Sequence, residues 1–567
     1  MNIPDFRTFQ TLDKSAVLEL YQPLVKESLR EGNVSAWLTG WSDLRKLVDE
    51  TYARLELNYE LNTADEDAEK AFHAFLEHLY PALQEVDQQL KEKLLESGLV
   101  PEGMELALQK MVLEADLFRE DNLPLMTKEE KLGSGYSKVL GAQTVEWEGE
   151  ELTLVQVQSA LQTEDRSQRE ELWRLVSGRQ LEDRQEINDL WGKLLEVRRQ
   201  LAENAGKPDY RSFRWQQQLR MDYSPEDSKN FLNSVLEAVV PAATRVYQRY
   251  QDRLGLQSLR PWDLLDNQSP FSLPAVEAFE SEEKFVQGAG EIFNRVDPQL
   301  GAYFQQMREE GLLDLMNRKG KGPGAFCTSF ATRGVPFVFM NAIGQSRDVQ
   351  TLFHECGHAF HVFERSRLPY HHQWRAGMEF NEVASTAMEL LASTFLENEQ
   401  GGFLDESAAA RSRIQHLEGM LVFWPYMAVV VAFQHWVYEN HDQAADPASC
   451  DRKWSELIDQ YMPGIDFSGL QEVKETGWQR KLHIHRAPFY YIEYGLSALG
   501  AVQIWEKSQL DLPGAVTSYR KALALGGTAD LPELYETAGA QFAFDVGNVT
   551  PAVRLLESTL AELEMKL

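Results

Sequence analysis

Two histidines one helical turn apart, in the sequence HECGH at residues 354–358, constrain this chain more than any other feature. Ser346 as the N-cap, Asp348 in the first turn and a helical period of apolar residues predict a helix over residues 346–366, in which His354 and His358 share one face. Two imidazoles so placed can close on a single metal ion, and Glu355 points beside them toward any water that the metal holds. The pattern therefore predicts a core helix with a hydrolytic zinc site.

The source of the third protein ligand of a catalytic zinc sorts the possible enzyme classes. The long metzincin pattern has glycine and histidine where this chain has His361 and Glu364, so that class is excluded. His361 shares the face of His354, but it lies about two turns away, too far along the axis for one ion. It either lines the cleft or supports the ligands from behind, or it is an ordinary core or surface histidine.

A carboxylate from a second helix remains as the third ligand. Residues 378–399 have helical periodicity and end before a pair of glycines. Glu379, Glu382 and Glu389 interrupt the small and apolar positions of this helix. Glu382 and Glu389 lie two turns apart on one face, so either can approach the metal while the other orients a histidine.

Most of the remaining sequence also has helical periodicity, for example over residues 81–97 and 181–205. Strand character is limited to residues 152–157 and, more strongly, to 335–341 directly before the metal helix. Pro336 predicts that the second of these is an edge strand. The expected fold is mainly α, a large helical body with a small β-sheet beside the zinc-binding helix.

A turn-rich stretch at residues 131–136 places the most plausible domain boundary between residues 120 and 160. We therefore divide the chain into an N-terminal helical region, 1–155, and a catalytic region, 156–567. The glycine- and proline-rich residues 318–324 form a loop, which is either a flexible turn over a cleft or a plain surface loop.

The charge and the cysteine content limit which binding partners and which cellular compartment are expected. The chain has 56 Lys and Arg against 88 Asp and Glu, a net charge of −32, and no basic cluster, so a nucleic-acid partner is not expected. Three cysteines without paired spacing, and no basic region followed by an apolar run at the N-terminus, predict a cytoplasmic protein. The apolar run at residues 421–433 is too short for a membrane span and contains Pro425, so it predicts a buried helix and no membrane.

Residues 354–361, followed by EFNE at 379–382, resemble the zinc site of the thimet oligopeptidase and oligoendopeptidase F family. Those enzymes pair a His-Glu-x-Gly-His-x-x-His helix with a glutamate from the next helix. The resemblance implies that Glu355 is the catalytic base. The ligands of one zinc ion that it implies are His354, His358 and Glu382.

Residues 483–494, HIHRAPFYYIEY, are similar to the C-terminal His and Tyr cluster that faces the bound peptide in that family. Imidazole and phenol donors suit this place because an oxyanion develops there during attack. The residues to which the resemblance gives this role are His485, Tyr491 and Tyr494, with Tyr490 as an alternative. Weaker similarity at residues 198–210 and 320–341 extends the resemblance to about residues 160–550.

The resemblance implies a zinc-dependent endopeptidase with a deep central channel between two helical halves, which admits short oligopeptides. The strand at residues 335–341 is a candidate to bind the peptide backbone by strand addition. The first alternative is a related zinc carboxypeptidase or dipeptidyl carboxypeptidase, which needs an anchor for the substrate terminus that the sequence does not reveal. The second is a catalytically silent peptide-binding protein with a structural zinc, against which the intact Glu355 argues.

Overall fold

A computed structural model describes residues 3–161, 163, 165–264 and 277–567 and confirms a mainly α fold. The helices are α1 (Phe6–Phe9), α2 (Lys14–Lys26), α3 (Val34–Leu61), α4 (Glu66–Ala74), α5 (Tyr80–Ser97), α6 (Glu105–Leu117), α7 (Asn122–Gly141), α8 (Leu154–Ala160), α9 (Arg166–Glu182), α10 (Arg184–Asn204), α11 (Tyr210–Gln217), α12 (Pro225–Ser234), α13 (Val240–Leu254), α14 (Glu282–Val296), α15 (Pro298–Glu309), α16 (Ser346–Arg365), α17 (Met378–Ser393), α18 (Glu406–Glu439), α19 (His441–Ala444), α20 (Pro447–Tyr461), α21 (Gln471–Glu475), α22 (Leu482–His485), α23 (Ile492–Leu510), α24 (Leu512–Leu525), α25 (Leu531–Ala538) and α26 (Val546–Glu564). The strands are β1 (Thr144–Trp147), β2 (Glu150–Thr153), β3 (Leu313–Met316), β4 (Phe326–Phe330) and β5 (Val335–Ala342).

The first of two compact units, unit 1, combines Met1–Ala115, Glu277–Asp405 and Gly500–Phe542. Its N-terminal helices bury a core rich in tryptophan and leucine, including Trp37 and Trp41 on α3. In the rest of the unit, α16 packs against α17, α24 and the sheet of β3, β4 and β5. The predicted zinc helix and the predicted second helix therefore belong to one packed body.

The second unit, unit 2, combines Asp116–Val276, Glu406–Leu499 and Ala543–Leu567. Its central helix is α18, against which α13, α20 and α26 pack. Among the described residues, α18 is the one helix that is long and apolar enough to cross a membrane, and 72% of its most apolar window is buried inside the protein. A core helix of a globular body has this same composition, so the finding is weak evidence for a membrane span.

The predicted division at residue 155 is not a boundary between these units, because residues 116–276 lie together in unit 2. The turn-rich stretch at 131–136 lies inside α7 and does not interrupt the helices. A Cβ at Gly133 would lie 3.2 Å from Nε of Arg486, and one at Gly135 would lie 3.6 Å from a methyl group of Leu190. The glycines thus allow close packing of α7 rather than a turn.

The order of strands in the larger sheet is β3-β5-β4, so the prediction that Pro336 marks an edge strand is wrong. Strand β5 is central, parallel to β3 and antiparallel to β4. Val338 donates its N–H to Leu312 O at 3.0 Å, toward β3. The backbone nitrogen of Pro336, two residues earlier, faces the same side of the strand. The pairing with β3 begins only at Val338, so no hydrogen bond is lost because proline has no N–H. The other predicted strand is shorter than expected: β2 ends at Thr153 and α8 follows.

The glycine-rich residues 318–324 are anchored at several points. The N–H of Gly322 donates to Glu60 O at 2.7 Å, and the side-chain amide of Asn341 donates to Gly322 O at 2.8 Å. The buried ammonium of Lys321 pairs with Asp314 at 2.7 Å. Of the two alternatives that the sequence leaves open, these contacts favour a fixed surface loop over a flexible turn.

Candidate metal centre and aromatic cluster

The start of α16 is fixed to the end of β5 by one carboxylate. Oδ2 of Asp348 accepts hydrogen bonds from the N–H groups of Ile343, Gly344 and Gln345 at 2.8, 2.9 and 2.9 Å. These donors precede the helix, and a negative charge in the first turn also favours the helix dipole. Ser346, expected as the N-cap, is instead the first residue of α16. The helix that carries the two histidines therefore has a defined start relative to the sheet.

Backbone contact between α16 and α17 depends on Gly357. A Cβ at this position would lie 2.5 Å from Ala384 O and 2.5 Å from Cα of Ser385. Because glycine has no side chain, the two helices approach to backbone distance. Helix α17 ends at Ser393, earlier than predicted, because the following chain turns back and Asn398 donates to Leu404 O at 2.7 Å.

This approach places Glu382 of α17 beside the histidines of α16. One ligand atom from each of His354, His358 and Glu382 lies within 4.8 Å of the other two. Oε2 of Glu382 is 3.7 Å from Nε2 of His354 and 3.9 Å from Nε2 of His358. Two imidazole nitrogens and one carboxylate oxygen match the donor set of a catalytic zinc site. These residues fit a single zinc ion.

Glu389 orients one of these histidines. Its Oε1 is 2.7 Å from Nδ1 of His354, which directs Nε2 of that ring toward Glu382. The hydroxyl of Ser385 donates to Glu382 Oε2 at 3.3 Å. The sequence left open which of the two glutamates approaches the metal, and in the structure Glu382 lies with the histidines while Glu389 contacts His354 from the other side of its ring.

Burial and neighbouring charge shift the ionisation of this centre. Burial raises the pKa of Glu355 to about 7; the charge of His354 opposes this, and those of Glu382 and Glu389 add to it. Burial alone lowers the pKa of His354, but its hydrogen bond to Glu389 and the surrounding carboxylates outweigh this and raise the pKa to about 9. Burial and the charge of His354 lower the pKa of His358 to about 3. The carboxylates therefore favour a cation among them.

The other two candidate residues on α16, His361 and Glu364, contact core and neighbouring side chains rather than the three ligands. His361 is 2% exposed and packs edge-on to Phe380, with ring centroids 6.3 Å apart, which favours the core alternative. Glu364 accepts from Tyr303 Oη at 3.1 Å and from Nε of Arg520 at 2.9 Å. Neither residue belongs to the three-ligand group.

A cluster of aromatic side chains in unit 2 contains the tyrosines of the second motif. The ring of His483 is 4.7 Å from that of Tyr491, 6.0 Å from Tyr490 and 6.1 Å from Tyr494, centroid to centroid. His483, Tyr490 and Tyr494 are half-buried, whereas Tyr491 is 5% exposed. The three tyrosines and His483 form a cluster of donors, in which Tyr490 and Tyr494 are the more accessible phenols.

His485 is not part of this cluster, and its burial argues against the expectation that it faces a bound peptide. Its side chain is 1% exposed, stacked on Tyr136 at 4.1 Å and enclosed by Trp191 and Trp478 at 5.5 and 5.9 Å. Both histidines lie on the short helix α22, where a step of two residues turns the side chain to the opposite face. His483, and not His485, is therefore the histidine that lies among the tyrosines.

Buried arginines that the sequence did not single out hold the backbone around this cluster. Arg198 is fully buried and donates to Ile484 O at 3.1 Å and to His485 O at 2.6 Å. Arg220 donates to Phe489 O at 2.7 Å, and Phe489 has a φ of 62°, in the left-handed region that a bulky residue rarely adopts. Such strain persists only where the surroundings impose it and is typical of functional sites. In α10, Arg198 falls on the same helical period as Leu194 and Leu201, and a charged residue within an apolar stripe is the signal that could have indicated it.

A family model described as Peptidase family M3 matches residues 159–546, which is more than half of the chain. The chain belongs to this family. The relationship confirms the resemblance from the zinc-site residues. Two relatives of this M3 chain are an oligoendopeptidase F homolog from Borreliella burgdorferi, 23% identical over 320 residues, and the oligopeptidase PepF from Bacillus subtilis, 24% identical over 275 residues.

These matches cover 54% and 47% of the M3 chain, and they span 51% and 39% of the relatives' own lengths. Similarity to solved structures is more extensive. The structure of PZ peptidase A with an inhibitor covers 100% of this chain and 99% of its own, with a TM-score of 0.84 at 24% identity. Oligoendopeptidase-F from Enterococcus faecium covers 97% and 98%, with a TM-score of 0.61 at 16% identity. At these identities the comparisons establish a shared fold.

Proposed function

We propose that this M3 family member is a zinc-dependent endopeptidase that hydrolyses short oligopeptides. The observation that carries the proposal is the approach of His354, His358 and Glu382 from two helices, with the buried carboxylate of Glu355 beside them. A purely structural zinc site has no use for such a carboxylate. When bound, zinc supplies Lewis acidity that polarises the scissile carbonyl and acidifies water.

Within this proposal, the chain's own residues bind the ion and move the proton. Glu355 accepts a proton from the attacking water at its carboxylate and gives it to the leaving amine, a role that its raised pKa supports. The family resemblance gave this role to His485, but His483 is the histidine beside the tyrosines, so we assign His483 with Tyr490, Tyr491 or Tyr494 to donate hydrogen bonds to the developing oxyanion. Burial and the charge of Lys481 lower the pKa of His483 to about 4, so its imidazole is neutral and can donate only from one nitrogen.

The test is hydrolysis of a quenched fluorescent peptide that is blocked at both ends, by the protein with and without one equivalent of zinc. Cleavage at an internal bond that requires zinc supports the endopeptidase. Cleavage only of peptides with a free C-terminus supports instead the related carboxypeptidase or dipeptidyl carboxypeptidase. Zinc binding without hydrolysis of any peptide supports a catalytically silent peptide-binding protein. We further propose a cytoplasmic location, in keeping with three free cysteines.

Removing the carboxylate of Glu389 is expected to weaken zinc binding. In Glu389→Gln the ring of His354 loses the charged acceptor at 2.7 Å that fixes its orientation, and such changes typically cost about 10–100-fold in metal affinity. Competition with a chromophoric chelator measures this affinity. The matched control is Glu397→Gln in the same unit, outside the three-ligand group, and equal zinc affinity of both variants would show that Glu389 has no orienting role.

We propose that a peptide strand adds to β4, which is an edge strand, rather than to the central strand β5. Val338 directs its N–H toward β3, so its partner Cys327 is in a non-hydrogen-bonded pair and points its backbone N–H and C=O away from β5. Ser329, two residues on, does the same. Strand β4 is the edge of the described sheet, and this outer side is where we propose that the peptide backbone binds.

The variant Ser329→Pro removes one outward N–H without affecting the ladder with β5. We expect KM to rise by about two- to tenfold with a smaller change in kcat, since one backbone hydrogen bond to substrate contributes about 0.5–1.5 kcal/mol. Ser329→Ala, which keeps the N–H, is the control for loss of the hydroxyl. An unchanged KM in Ser329→Pro would exclude this edge as the binding strand.

A further inference from the structure

Lys481, directly before α22, is a half-buried cation with a neutral hydrogen-bond partner. Its Nζ donates to Tyr491 Oη at 2.6 Å and lies 4.0 Å from the centroid of the same ring. It also lies 5.1 Å from the ring centroid of Tyr426. Among the described residues, no carboxylate oxygen is within 4.0 Å of this ammonium. An ammonium has three donors, so it keeps capacity to bind an anion.

The preceding residue, Arg480, is also a half-buried cation whose hydrogen-bond partners are neutral. Its guanidinium donates to Val473 O at 2.8 Å and to Thr476 Oγ1 at 3.3 Å, both neutral acceptors. Burial lowers the pKa of Lys481 to about 8 and lowers that of Arg480 from its usual value. Desolvating a cation without a carboxylate costs free energy, which an arriving anion recovers.

Further aromatic rings lie beside the two rings that contact Lys481. Phe423, on the same helix as Tyr426, lies 5.6 Å from Tyr491 and 6.0 Å from Tyr494, ring to ring. Both α18 residues are half-buried, so this face of the helix is partly accessible although most of α18 is core. These rings provide apolar contact for a peptide, and the ammonium of Lys481 provides a charged group beside them.

We propose that Lys481, with the phenol of Tyr491, forms a subsite that binds a carboxylate of the peptide, either its C-terminus or an acidic side chain. This inference rests on the proposed peptidase function and specifies its substrate class. The overall negative charge repels anionic peptides at long range. A preference for a carboxylate therefore has to come from a local cation.

The experiment compares three peptides of one sequence: a C-terminal amide without acidic residues, the same peptide with a free C-terminal acid, and the amide with one Glu in place of Gln. The readout is the kcat/KM of each charged peptide divided by that of the neutral amide. Lys481→Met is expected to lower at least one of these ratios by about tenfold or more, mainly through KM, because hydrogen bonds to charged groups contribute about 1.5–3 kcal/mol. The peptide whose ratio falls identifies the source of the carboxylate.

Lys481→Arg, which keeps the charge, is expected to restore part of the ratio, and Lys193→Met, at an exposed lysine of α10, is the matched control. Equal losses on charged and neutral peptides would overturn the proposal and leave Lys481 as a residue that positions Tyr491. If no peptide is hydrolysed, the proposed function fails by itself, and calorimetric binding of the acid and amide peptides still tests the subsite. Wild-type protein that binds these two peptides and the Glu-containing amide equally would overturn it, whether or not the variants fold.

Discussion

Replacing Glu355 by glutamine is expected to lower kcat by a factor of about 10²–10⁴, the usual contribution of a general base. The amide has nearly the same shape, so the three ligands beside it keep their positions and the protein should retain its zinc. Glu355 is 6% exposed and its carboxyl has a pKa raised to about 7, so the substitution removes a group suited to take up and release a proton. Steady-state hydrolysis of a blocked peptide, with zinc content measured in parallel, checks this prediction.

Glu309→Gln, at an exposed carboxylate of α15 in the same unit, is the control and should leave kcat unchanged. Retained zinc with undiminished turnover in Glu355→Gln would remove Glu355 from the mechanism. Loss of zinc together with activity would instead mean that Glu355 takes part in holding the ion.

The sequence predicted α16 well because its apolar period and the HECGH pattern are local features of one helix. It could not separate Glu382 from Glu389, since both lie on the same face of α17 and their roles depend on where that helix contacts α16. The contact point is set by Gly357 against Ala384, which is a tertiary relationship. The glycine of the motif is thus needed for the packing of the two helices, whereas the prediction of the zinc site used only its histidines and glutamate.

The structure differs from other expectations where position depends on distant parts of the chain. The proline rule assigned β5 to the edge, but the rule concerns only the side of the strand on which an N–H is needed. The N-terminal helices join the metal unit through contacts such as Thr332 N–H to Glu50, 2.8 Å apart and 282 residues distant in sequence. The motif predicted His485 rather than His483 as the histidine beside the tyrosines. A motif comparison shows which residue types a segment contains, but not which of two nearby histidines faces a given side of the helix.

Gly357→Ala is expected to cause the largest loss of stability of any single methyl group added near the metal centre. The new Cβ would meet backbone atoms at 2.5 Å, and backbone cannot rotate away as a flexible side chain can, so α16 and α17 must separate. Overpacking of this kind costs about 1–3 kcal/mol and sometimes more, so the midpoint of thermal unfolding should fall by roughly 1–5 °C. Glu382 moves with α17, and zinc affinity should fall by at least about tenfold, as when ligand orientation is lost.

Gly192→Ala on α10 provides the matched control, because a Cβ there meets no atom within 4 Å. In a helix, alanine is favoured over glycine by about 1 kcal/mol, so this variant should unfold at the same or a slightly higher temperature. Differential scanning calorimetry of the zinc-free proteins measures stability apart from metal binding. If Gly357→Ala unfolds with the wild-type midpoint and binds zinc with the wild-type affinity, close contact between these helices is not what brings Glu382 to the histidines.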